Sequence, residues 1–367
     1  MRNRALSPRL DIDWIRGMAA IFVVISHLFV FYPTGRSGFF LLSQSGHVAV
    51  DVFFVLSGFL IALSWDRTQE YRDFYRARAR RILPLMWTVM VVVFFVLAPI
   101  FYGWFPDTKA HFLVMLTHFF GLQSALPLAI PGLYICAPLW TLTVEISFYA
   151  VLPWIWRAFT RHPASSVSLC FLIEVLWIVF SQHVVEKYDL NLQFAVYLPL
   201  QMPGQMFSFS IGMLLAFFHL KNAFYLTRTA AIALRWSGMI GLALSVAFYG
   251  ENRSLFLDPI FSGLLIFSCI SGGQAVGNSA ARSVDAPLKI AFTLLGKISY
   301  SLYLWHFPVL FTLFRITKGN LPLYAFAFIG VSVSVFVALI SYLHIESVFL
   351  YPHAASRGRK MTLASAA

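Results

Sequence analysis

Apolar runs of about 17–25 residues, the length a helix needs to cross a bilayer, recur along the whole of this chain. They lie near 12–32, 48–65, 82–101, 139–156, 166–182, 203–220, 230–249, 254–271, 297–314 and 323–349. In lipid such a run must satisfy its own backbone N–H and C=O groups, and a helix does so. Charged residues make up 11% of the 367, against about 25% in a soluble domain, too few to cover a water-facing surface. The sequence therefore predicts an all-α integral membrane protein of about ten transmembrane helices, a single domain over 1–367. The Pro- and Gly-rich segment 102–138 holds only a short apolar stretch and reads as a re-entrant or interfacial piece.

Lys and Arg set the expected orientation. With ten crossings and the N-terminus in the cytoplasm, 21 of the 27 Lys and Arg fall in cytoplasmic segments. Both termini are therefore expected inside, N-in and C-in. That distribution also accounts for the net charge of +12 without a nucleic-acid partner. Arg2, Arg4 and Arg9 before an apolar run have the look of a signal peptide. However, Asp11, Asp13 and Arg16 interrupt the approach, and a retained first helix is expected. Cys136, Cys170 and Cys269 show no CxxC spacing, so neither a disulfide framework nor a metal site is expected.

Ionisable residues inside spans are costly and are functional candidates. His27, Glu145 and His306 stand out, with Asp13 and Arg16 about one turn inside the first span. Arg16 and His27 are eleven residues apart, three turns plus about 20°, so they share one helix face about 16 Å apart. His27 and Glu145 each lie four to five residues below the outer end of their spans, which predicts a common depth and a pair if the helices touch. Each residue also has a plainer reading: interhelical packing for the histidines and Glu145, a snorkelling anchor for Arg16. Six arginines from Arg67 to Arg81 anchor topology, and their planar forks also suit phosphate. His47 and Asp51 form an H-x3-D pair for which capping or packing is the competing reading.

These residues resemble the motifs of the acyltransferase-3 family. DWIRGMAAIFVVISH is similar to its D-x-x-R-x10-H signature at Asp13, Arg16 and His27. GHVAVDVFFVLSGFLI resembles its second-span motif, with Asp51, Ser57 and Gly58. RARARRILPLMW resembles its arginine-rich loop; Ala77 departs from a usually basic position, while Arg76, Arg78 and Arg81 remain. PLWTLTVEISFYAVLP is similar to its W-[ST]-L-x-x-E-x-x-F-Y run, with Ile146 where a second acid is usual, and LGKISYSLYLWHFPVL resembles its late motif.

The resemblance implies ten or eleven spans in the inner (cytoplasmic) membrane. It implies transfer of a short acyl group, most often acetyl from acetyl-CoA, to a hydroxyl of a carbohydrate or lipid-linked glycan. The stand-alone form, without a fused SGNH domain, is the one expected. Acyl-CoA is then the donor and no metal takes part. His27, Glu145 and Asp13 are the expected catalytic residues; Arg16, Arg76, Arg78 and Arg81 are expected to bind the donor. In that scheme the neutral imidazole of His27 takes the acceptor proton, and Glu145 orients it and stabilises the imidazolium. A covalent acyl-histidine is an alternative route. The rival class is a transporter or flippase, in which the same His and Glu would relay protons.

Overall fold

The computed structural model describes residues 12–33, 40–102, 108–124, 134–190, 192–222, 226–249, 254, 256–271 and 286–350. Its α-helices are, in chain order, α1 (Asp13–Phe31), α2 (Phe40–Thr68), α3 (Tyr71–Val92), α4 (Ala98–Tyr102), α5 (Thr108–Phe119), α6 (Trp140–Arg161), α7 (Pro163–Lys187) and α8 (Leu192–Tyr197). They continue with α9 (Met206–Leu220), α10 (Arg228–Tyr249), α11 (Leu257–Ile270), α12 (Ala286–Lys297), α13 (Ser299–Thr317), α14 (Leu323–Ser341) and α15 (Ser347–Leu350). Single π-helical turns, Val93–Leu97 and Tyr342–Glu346, join α3 to α4 and α14 to α15. Among the described residues there is no strand.

Eight helical stretches among the described residues are long and apolar enough to cross a membrane, as an all-α integral membrane protein requires. They match eight of the ten expected runs. The 254–271 run is the shorter α11, of 14 residues. The 297–314 run forms α13, whose first half carries Ser299, Tyr300, Ser301, Tyr303 and His306. The arginine-rich stretch, expected as a loop, is instead the first half of α3, which follows α2 after a break at Gln69 (φ 51°). Within 102–138, α5 has 12 residues, about 18 Å of helix and short of the hydrocarbon thickness.

Contacts divide the chain into two units. The first comprises Met1–Arg67 and Trp140–Ser299. Its helices approach closely where glycine replaces a side chain, the usual device when no hydrophobic gain is available between helices in lipid. α1 and α12 do so reciprocally: a methyl group on Gly17 would collide with the Phe292 carbonyl, and one on Gly296 with the Asp13 carbonyl. α2 does the same on two sides. Gly46 lies against the Ser26 hydroxyl of α1, and Gly58 against the Phe209 carbonyl of α9. α2 and α6 run parallel, as three contacts in register show: Phe54 with Trp140, Ser57 with Glu145, and Asp66 with Trp156. Arg235 of α10 stacks over the Trp14 ring of α1, 5.5 Å from its centroid, so the cation is held on an aromatic face.

The second unit comprises Thr68–Leu139 and Tyr300–Ala367. α13 organises it through three hydroxyls. Tyr300 donates to the Ile82 carbonyl of α3 (2.8 Å), Ser301 to Glu346 Oε2 (2.7 Å), and Tyr303 to the Pro138 carbonyl. Glu346, 4% exposed, is a buried acid that needs such donors. In the same unit Trp87 donates to the Phe119 carbonyl at 2.8 Å.

Candidate functional site

His27 sits four residues before the end of α1, partly buried. Its Nδ1 lies 2.8 Å from the Val23 carbonyl oxygen one turn back. A carbonyl can only accept, so Nδ1 carries the hydrogen and a neutral ring keeps its lone pair on Nε2. The backbone thus fixes both the orientation of the ring and the nitrogen able to take a proton. Arg16, on the same helix face, pairs with Asp13 at 3.8 Å across one turn. Its side chain is 18% exposed and that of Asp13 39%. An ion pair so long and so open is weak.

Glu145 does not bear out the expected partnership with His27. Its Oε1 accepts from Ser57 Oγ of α2 at 3.1 Å and from the Tyr149 hydroxyl one turn along α6. Among the described residues it makes no hydrogen bond to His27 and no ion pair with Arg16. The reason is depth. α6 does not begin at the level of the start of α2: Trp140, its first residue, packs edge-on against Phe54, with centroids 6.1 Å apart. Phe54 is fourteen residues into α2, about 21 Å along it. Ser26, the neighbour of His27, meets α2 at Gly46, whereas Glu145 meets it at Ser57. Those points are eleven residues apart, about 16 Å.

Arg76, Arg78 and Arg81 lie on α3, in the other unit. Arg76 is exposed; Arg78 and Arg81 are partly buried and, three apart, neighbour one another on the helix surface. Arg78 stacks on Phe74, 5.7 Å from the ring centroid. Neither Arg76 nor Arg81 forms an ion pair or hydrogen bond among the described residues. The guanidinium forks of Arg76 and Arg81 are therefore open to an anion.

His306 is fully buried in α13, its Nδ1 2.7 Å from the Tyr303 carbonyl and 3.2 Å from that of Leu302. Asp51, of the H-x3-D pair, is 1% exposed and accepts from Ser208 of α9 at 2.6 Å, as a packing role implies. Three further intramembrane acids escaped the sequence reading. Glu174 receives the Phe207 N–H at the start of α9 (2.8 Å), Asp258 the Ser245 hydroxyl, and Glu346 the Ser301 hydroxyl. Each stood in plain view as an acid within an apolar run. Cys170 and Cys269 are buried free thiols; the Cys136 side chain lies outside the described residues. Among the described residues no cluster of three His, Cys, Asp or Glu could hold a metal ion.

Residues 9–343 match the model of a family described as an acyltransferase domain, the acyltransferase-3 type. Among curated proteins, the chain is 25% identical over 385 residues to O-acetyltransferase OatA of Staphylococcus aureus (strain NCTC 8325 / PS 47), covering 94% of this chain and 58% of the relative. A second S. aureus protein (strain COL), named only provisionally as an O-acetyltransferase, is 26% identical over 371 residues, 92% of this chain and 56% of its own. The chain thus spans less than three fifths of the length of these relatives. No solved structure matches.

Proposed function

The chain belongs to the acyltransferase-3 family, and from that premise we propose that it is a membrane O-acyltransferase. It moves a short acyl group, acetyl in the first instance, from cytoplasmic acyl-CoA to a hydroxyl of a carbohydrate or lipid-linked glycan in the cell envelope. O-acetyltransferase is the name carried by the curated relatives. The observation that carries the reading on this chain is His27, whose Nδ1 is committed to Val23 and whose Nε2 is the basic atom.

In the proposed reaction Nε2 accepts the proton of the acceptor hydroxyl as its oxygen attacks the thioester carbonyl carbon. The new C–O bond forms, the C–S bond breaks, and the departing sulfur takes the proton back from the imidazolium, leaving CoA as the thiol. Arg16 and the forks of Arg76, Arg78 and Arg81 serve the donor in this proposal; diphosphate and phosphate groups suit such forks. With both termini inside, as the Lys and Arg distribution expects, these arginines belong to the side on which CoA is found.

The test is acetyl transfer by purified protein in lipid nanodiscs, with labelled acetyl-CoA and envelope glycan from a strain lacking the gene. Label should appear in the glycan as base-labile ester, and glycan from the strain carrying the gene should be heavier by acetyl units. No label in glycan and no CoA released would overturn the reading.

A further inference from the structure

The Glu145 carboxylate is held through one oxygen and open at the other. Ser57 and Tyr149 both donate to Oε1. Oε2 receives neither a hydrogen bond nor an ion pair among the described residues. Glu145 is only partly buried, in a helix counted among the membrane-crossing ones. An acid oxygen turned to hydrocarbon is costly, and intramembrane acids instead face one another, a water-filled path or a ligand. Two hydroxyls from two helices fix the direction in which the open oxygen points, which is how a binding group is preorganised.

What it binds follows from where it lies and what it offers. The reacting hydroxyl belongs at His27 Nε2, and Glu145 contacts α2 about 16 Å from the point where the neighbour of His27 does. A group held by Glu145 is thus part of a long substrate, remote from the reacting carbonyl. The carboxylate offers an acceptor at Oε2, and the two hydroxyls that touch it direct their hydrogens at Oε1. An amide N–H needs only an acceptor, whereas sugar hydroxyls seek donors for their oxygens as well. On the acyl-CoA reading above, on which this inference rests, the thioester is carried on a slender pantetheine arm with two secondary amides. We propose that Glu145, held by Ser57 and Tyr149, is a positioning residue that accepts a hydrogen bond from a pantetheine amide N–H, and is not the orienting partner of His27.

The experiment compares acetyl-CoA with ethyl thioacetate, a thioester lacking any amide, in the nanodisc assay. Loss of one hydrogen bond to a charged group should raise KM for acetyl-CoA about tenfold or more in Glu145→Ala, with kcat within about threefold. Glu145→Gln, which keeps a carbonyl acceptor, should recover part of that rise. Turnover of ethyl thioacetate should be nearly unchanged in both. Glu145→Gln carries the comparison if Glu145→Ala does not fold. The inference is overturned, and the acyltransferase reading kept, if kcat falls alike with both donors while KM for acetyl-CoA stays put. A wild-type protein that transfers no acetyl group overturns the reading itself, and this inference with it.

Discussion

Ser57 of α2 hydrogen-bonds Glu145 of α6 at 3.1 Å, and that contact separates two groups that a span-by-span count places together. The same α2 meets α1 at Gly46 and Ser26, about 16 Å away along its axis. His27 and Glu145 are therefore two separate stations in one unit, and the proposed reading gives them separate tasks.

The α1–α12 pairing is expected to tolerate no side chain at its crossing. A β-carbon on Gly296 would collide with the Asp13 carbonyl, and backbone cannot yield as the end of a side chain can. Gly296→Val should cost about 1–3 kcal/mol, the usual range for overpacking. Because Asp13 is the ion-pair partner of Arg16, the same change should, on the proposed reading, weaken donor binding. Thermal unfolding in detergent, with acetyl-CoA affinity on the surviving fraction, measures both; an unchanged melting temperature would contradict the close crossing.

Ser301→Ala removes a 2.7 Å hydrogen bond to a carboxylate that is 4% exposed. Bonds to charged groups are worth about 1.5–3 kcal/mol, so the variant should melt several degrees lower. Ser301→Thr, which keeps the hydroxyl, should recover most of the loss. Equal stability of the alanine variant and wild type would show that Glu346 relies on other partners.

Joint replacement of Arg78 and Arg81 by Gln should weaken acetyl-CoA binding by about tenfold or more, each charge-assisted contact being worth roughly 1.5–3 kcal/mol. Because the Debye length at 0.15 M salt is about 8 Å, wild-type affinity should fall with added salt and that of the double variant should fall less. Isothermal titration at two ionic strengths reads this directly. An affinity insensitive to both salt and substitution would remove these arginines from the donor site.

Much of the architecture was legible as apolar length. Eight of ten expected runs reappear as helices long and apolar enough to cross a membrane, because backbone satisfaction in lipid leaves few alternatives. Register between helices was not legible. Glu145 would be level with His27 only if every span began at one surface, yet Trp140 starts α6 against Phe54, well into α2. Such an offset depends on tertiary packing and on the chain before α6, and no periodicity reports it. The helical form of RARARR was readable, since Arg and Ala are good helix formers. Glu174, Asp258 and Glu346 were visible as acids in apolar runs, but their partners, Phe207, Ser245 and Ser301, are 33, 13 and 45 residues away in the chain.

On the proposed reading His27 Nε2 is the proton acceptor of the acyl transfer. The most direct measurement is acetyl transfer by His27→Ala protein that is folded, by its melting temperature and elution from gel filtration. Removing a general base costs about 10²–10⁴ in rate, so turnover should fall at least about a hundredfold, with acetyl-CoA affinity nearly unchanged. Turnover within severalfold of wild type by a folded His27→Ala protein would contradict the account at its centre.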